Sequence, residues 1–145
     1  MIHQFAEYLS TQSGVGIGKF VVTADEVRRR ETQRTYAILK EIAGVNRIYP
    51  QPTRVDSTIQ VLVVSAEETA HQANELAYTL YSVQGGYDFD LPVLADSPPN
   101  YASERIRVLC LMASQQPHYL GYVDNRHHYV YQYDIYYHNK LDFIA

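Results

Sequence analysis

The chain has 145 residues, 46% of them hydrophobic and 19% charged, with a net charge of −4 and a single cysteine. This length predicts one domain, 1–145, able to bury its own core, and the composition excludes a disordered or collagen-like chain. The negative balance argues against nucleic-acid binding over the whole surface, and lone Cys110 excludes an internal disulfide or a multi-cysteine zinc site. No apolar run approaches the roughly 18 residues of a membrane-spanning helix. The opening MIHQFAEYLSTQSG lacks the basic-then-apolar order of a secretory signal.

Ile2, Phe5, Ala6 and Leu9 fall at helical spacing and predict a short amphipathic helix, ended by Ser13-Gly14. Ile17 to Thr23 is β-branched and aromatic enough for a strand. Ala24 to Arg34, carrying Arg28, Arg29, Arg30 and Arg34, reads as an exposed loop. Tyr36 to Ile42 alternates as a strand does, and Asn46 to Thr53 holds two prolines and reads as turns. Thr58 to Val64 (TIQVLVV) is apolar on both faces, which predicts a central strand. Ser65-Ala66-Glu67-Glu68 then has the form of a capping box. Ala66, Ala70, Ala73, Leu76, Ala77 and Leu80 continue it as an apolar stripe, and Gly85-Gly86 stops it.

Tyr87 to Ser103 predicts a long loop with one short strand near Leu91–Leu94, and Ile106 to Met112 a second buried strand. Gln115 to Asn125, with Pro117, Gly121 and Asp124-Asn125, reads as a turn region. His128 to His138 closes the sheet, with Tyr129, Tyr131, Tyr133, Ile135 and Tyr137 on one face and Val130, Gln132, Asp134, Tyr136 and His138 on the other. The predicted architecture is α+β: a mainly antiparallel β-sheet, one long α-helix (about 66–84) packed on it, and a short N-terminal helix.

No constellation specifies an enzyme. Gly14-Val15-Gly16-Ile17-Gly18-Lys19 lacks both the spacing of a phosphate loop and its hydroxyl after the lysine, where Phe20 stands. Cys110 sits in an aliphatic run that disfavours its thiolate. The acidic loop holds no lysine to support a nuclease. His118, His128 and His138 with Asp124 or Asp134 form the one metal-like set, against the simpler reading that strand histidines make hydrogen bonds or interfaces. No catalytic, cofactor-binding or metal residue is assigned.

Two features of arrangement stand out. Residues 1–54 carry eight Lys or Arg against five Asp or Glu, a net of +3, whereas residues 55–104 carry eight acids and no base, a net of −8. Such segregation suits head-to-tail contact between copies, although a fold that mixes the segments would erase it. There are also 14 tyrosines and no tryptophan, seven of them between Tyr119 and Tyr137. Tyrosine is enriched at interfaces, so Tyr129, Tyr131, Tyr133, Tyr136 and Tyr137 are candidate interface residues. Arg28, Arg29, Arg30 and Arg34, with no interleaved aromatic, are candidates for docking a protein partner.

Three stretches together resemble the tail terminator proteins of long-tailed bacteriophages, a family also described as minor capsid or tail completion proteins. They are Thr58 to Gly85 (TIQVLVVSAEETAHQANELAYTLYSVQG) with the proline-rich loop after it, the strand opening Glu104-Arg105-Ile106, and Pro117-His118-Tyr119-Leu120-Gly121 followed by a polar turn and the aromatic strand Tyr129 to Tyr137. Gly14 to Arg34 does not match closely. The resemblance implies a non-enzymatic virion protein of the tail and neck, assembled in the host cytoplasm without cofactor or membrane. It implies a homohexameric ring that caps the tail tube protein, ends its polymerisation and offers a surface to a head-side neck protein. DNA would pass through that ring with no sequence-specific contact. Head-closure and tail completion proteins of the neck are the nearest alternatives. A small metal- or ligand-binding enzyme domain, its pocket lined by the histidines and the acidic loop, is the alternative from another class.

Overall fold

The computed structural model describes residues 2–11, 19–24, 35–45, 54–83, 86–92 and 106–139. Among them the chain runs α1 (Ile2–Ser10), β1 (Lys19–Thr23), β2 (Thr35–Val45), β3 (Arg54–Ser65), α2 (His71–Tyr81), β4 (Tyr87–Asp90), β5 (Ile106–Ala113), β6 (His118–Val123) and β7 (Arg126–Asn139). All seven strands join one sheet in the order β1-β2-β3-β7-β5-β4, and β6 pairs with β7 beside the end of β5. Only β1 and β2 run parallel; every other pair is antiparallel.

Strand β3 lies centrally, as its apolar run predicts, between β2 and β7. Its period-two alternation sends Ile59, Val61 and Val63 to the face that packs with α1 and α2. Phe5 and Leu9 of α1 and Ala73, Leu76, Ala77 and Leu80 of α2 meet Ala37, Leu39, Val108, Leu111, Tyr131, Tyr133 and Ile135 in one core. Alanines at 73 and 77 let α2 approach the sheet closely, and burying each leucine contributes about 1.5–3 kcal/mol. The opposite face carries a smaller cluster of Val22, Tyr36 and Val64, flanked by Ile38 and Leu62.

The structure corrects the predicted fold class. The chain is mostly β, a curled half-barrel sheet with two short helices, and not an α+β fold built on one long helix. Helix α2 has 11 residues and begins at His71. Its expected cap is engaged elsewhere: Ser65 ends β3, and its Oγ accepts from the Glu67 amide (3.3 Å) and bonds the Thr35 hydroxyl of β2 (3.0 Å). A side chain held that way bends the chain before the helix and leaves Ala70 at the N-cap with no side-chain cap.

Two further elements differ from expectation. The short strand predicted near Leu91–Leu94 is β4, Tyr87–Asp90, where Arg107 of β5 holds Asp88 and lies 3.6 Å from Asp90. The predicted turn region Gln115 to Asn125 contains a whole strand, β6. Pro117 precedes its first residue, and Gly121 (φ +131°) stands beside its β-bulge, two places where a strand tolerates such residues.

Asp124 (φ 52°) and Asn125 (φ 62°) join β6 to β7, with Val123 opposite Arg126. Two consecutive left-handed residues define the type I′ loop that matches strand twist. Asn125→Val should therefore destabilise by about 1–2 kcal/mol, while Asn125→Gly should be neutral or stabilising. Urea unfolding of both variants checks this; a valine variant with an unshifted midpoint would refute the turn geometry.

Candidate functional site

The seven clustered tyrosines divide into three populations, buried, half-buried and exposed. Tyr131 and Tyr133 are fully buried, so they are core residues and present no surface to a partner, which corrects their reading as interface residues. The Tyr131 hydroxyl donates to that of Tyr133 (2.9 Å), which donates in turn to the Leu80 carbonyl in the last turn of α2. Burial pushes both phenols well up from their ordinary value. Their rings meet edge to face, 5.1 Å apart, and Phe5 of α1 packs edge-on against Tyr133 at 5.4 Å. Tyr129, Tyr136 and Tyr137 are half-buried.

An exposed apolar surface lies on β6, which sequence reasoning read as turn. Tyr119 (46% exposed), Leu120 (54%), Tyr122 (58%) and Val123 (54%) all stand in solvent, as does Met112 near the end of β5. Five of the eight large apolar side chains exposed among the described residues thus fall between Met112 and Val123. That stretch contains no Asp, Glu, Lys or Arg. Edge strands are ordinarily guarded by charge, so an uncharged apolar edge marks a place where another chain can pair. The absence of charge over twelve residues was visible in the sequence, and would have identified the edge had the segment been read as strand.

His127 of β7 organises this edge. Its Nε2 lies 3.4 Å from the Glu68 carbonyl, and its Nδ1 lies 2.8 Å from the Tyr119 hydroxyl. A carbonyl only accepts, so in the neutral imidazole this pairing puts the proton on Nε2 and leaves Nδ1 to accept from the phenol. The Tyr122 ring lies 4.8 Å from the imidazole and the Tyr129 ring 5.3 Å from Tyr119. The edge is thereby tied to the bend that precedes α2. Beside it, the Arg126 guanidinium stands 5.7 Å from the ring centre of Tyr36.

Other sequence candidates do not gather here. Arg28, Arg29, Arg30 and Arg34 lie outside the described residues. His118 and His128 sit near one end of the β6–β7 pair, whereas His138 is ten residues along β7 from His128, about 34 Å away, so the metal-like set does not converge. Cys110 is half-buried beside Tyr136 on the strand pair β5–β7 and not in the core cluster. No helix among the described residues is long and apolar enough to cross a membrane. No protein-family model matches the chain, and no curated protein matches it.

Proposed function

We propose that the chain is a non-enzymatic structural protein of a bacteriophage virion, which forms a ring of six copies on the end of the tail tube. There it stops polymerisation of the tube protein and offers the surface that joins a head-side neck protein. The reading rests on the resemblance over Thr58 to Gly85 and Pro117 to Tyr137, segments that form β3 with α2 and β6 with β7. The observation that carries it is the uncharged edge strand β6, whose exposed tyrosines suit permanent contact with protein. A ring interface is heterologous, joining two different surfaces of one chain, and the charge segregation in the sequence between residues 1–54 and 55–104 suits such contact.

An amber mutation in the phage or prophage that encodes the chain tests the function. Non-permissive growth should yield filled heads beside unjoined tails of excess length, seen by electron microscopy. Adding the purified protein during tail assembly should restore uniform length. Normal infectious particles from the amber mutant would overturn the reading.

A further inference from the structure

We infer that the free protein pairs with a second copy through β6, the two β6 strands lying antiparallel about a two-fold axis. The inference concerns the chain before it meets any other protein and does not depend on the terminator reading.

Its basis is the state of the sheet's edges among the described residues. The edge at β1 is closed, since Val21, Val22 and Thr23 are all buried. Where β2 runs on past β1, exposed Lys40 and Glu41 stand on it. β4, at the far end of the sheet, has only four residues, and two of them are Asp88 and Asp90 beside Arg107. Charge and short length are the devices that keep edges from pairing. β6 has six residues, all exposed except Gly121, and the chain from Met112 to Val123 has no Asp, Glu, Lys or Arg. Head-to-tail strand pairing needs two different open edges, and the described residues offer one. A single open edge pairs with its own copy, and such an isologous contact closes at two.

The backbone of β6 is set for this. A two-residue loop joins β6 to β7, so the flanking pair Val123–Arg126 exchanges both of its hydrogen bonds. The next pair, Tyr122–His127, is then a non-hydrogen-bonded one, and the amide and carbonyl of Tyr122 point away from β7 to the open side. Gly121 beside it has no side chain, and a Cβ there would meet nothing within 4 Å, so a second backbone can come close. A bulge guards an edge by twisting it, yet here it sets out Leu120, 54% exposed, where a guarded edge carries a lysine.

Neutrality chooses the occupant. In a two-fold pair each strand meets its own sequence, so a charged side chain on it would face its like. An edge without charge over twelve residues meets that condition. An unrelated partner imposes no such neutrality, because it can answer a charge with its opposite. Pairing withdraws Leu120, Tyr122 and Val123 of both copies from water. On the terminator reading, the pair must open before β6 can meet another protein, so dimer and tail contact exclude each other.

Sedimentation and photo-crosslinking of the free protein test the pair. The unmodified chain should sediment at twice its own mass. Leu120→Lys and Leu120→Glu should each raise the dimer dissociation constant at least about tenfold with an unchanged circular dichroism spectrum. An equal mixture of the two variants should dimerise again, because lysine then meets glutamate. Benzoyl-phenylalanine in place of Tyr122 replaces one exposed aromatic ring with another, and mixing isotope-labelled with unlabelled protein separates links between copies from links within one. A link from position 122 to residues 118–123 of another copy is the expected result. A monomer at the highest soluble concentration, a link only to other residues, single variants that dimerise undiminished, or a mixture that stays monomeric would each overturn the inference.

The two proposals fail separately. Overlong tails from the amber mutant, with a free protein that is monomeric, would sink the β6 pair and leave the terminator reading standing. The 122-to-118–123 link together with infectious amber particles would sink the terminator reading and leave a self-associating protein.

Discussion

Ala73→Glu is expected to leave the chain unfolded. Ala73 is wholly buried where α2 meets the sheet, with Leu76, Ala77 and Leu80 on the same helix face. A carboxylate there would lose its water and gain no cation, a cost of several kcal/mol even after relaxation. Its bulk would also push the helix off β3 and β7, and overpacking adds about 1–3 kcal/mol. Domains of this size hold only about 5–15 kcal/mol in total, so the two effects together exhaust most of it. Asn74, one residue on, is exposed, and Asn74→Glu should melt as the unmodified chain does. Circular dichroism of both variants checks the assignment. An Ala73→Glu protein with a normal cooperative melt would show that another face of α2 packs on the sheet.

Alkaline conditions should unfold the protein through Tyr131 and Tyr133. Burial raises both phenols above their ordinary value near 10, and each acts as a hydrogen-bond donor that a phenolate cannot be. Above pH ~10 the unfolded chain releases these protons while the folded chain keeps them, so stability falls with rising pH. The contribution is fully present below that pH and is lost as pH climbs through the folded-state values. Each group withdraws up to about 1.4 kcal/mol per pH unit, and the pair up to about 2.7 kcal/mol. Urea midpoints measured at pH 9, 10 and 11 should drop steeply over the last step. Tyr133→Phe should cost about 1–3 kcal/mol at neutral pH and reduce the alkaline slope by about half. A slope unchanged in Tyr133→Phe would mean that other groups drive the transition.

The sequence by itself determined those elements whose signal is local. The helical spacing of Ile2, Phe5, Ala6 and Leu9 marked α1, the apolar run TIQVLVV marked the central strand β3, and the alternation in Tyr129 to Tyr137 marked β7 as a strand, though as one closing the sheet and not at its centre. Side-chain direction along one strand or helix depends only on the backbone period, so these faces were legible without a partner. Only the tertiary structure decided the length of α2, because Ser65 is held by Thr35, thirty positions away, instead of capping a helix. It likewise decided that His118 to Val123 is a strand, since β7 supplies the hydrogen bonds that let the chain stay extended past Pro117 and Gly121. Tyr131 and Tyr122 belong to one aromatic cluster in the sequence. One is buried because α2 covers its end of the sheet, and the other is exposed because β6 is an edge. Burial and edge position are properties of what lies alongside a strand, and strand order joins residues too far apart in the chain for any local pattern to record.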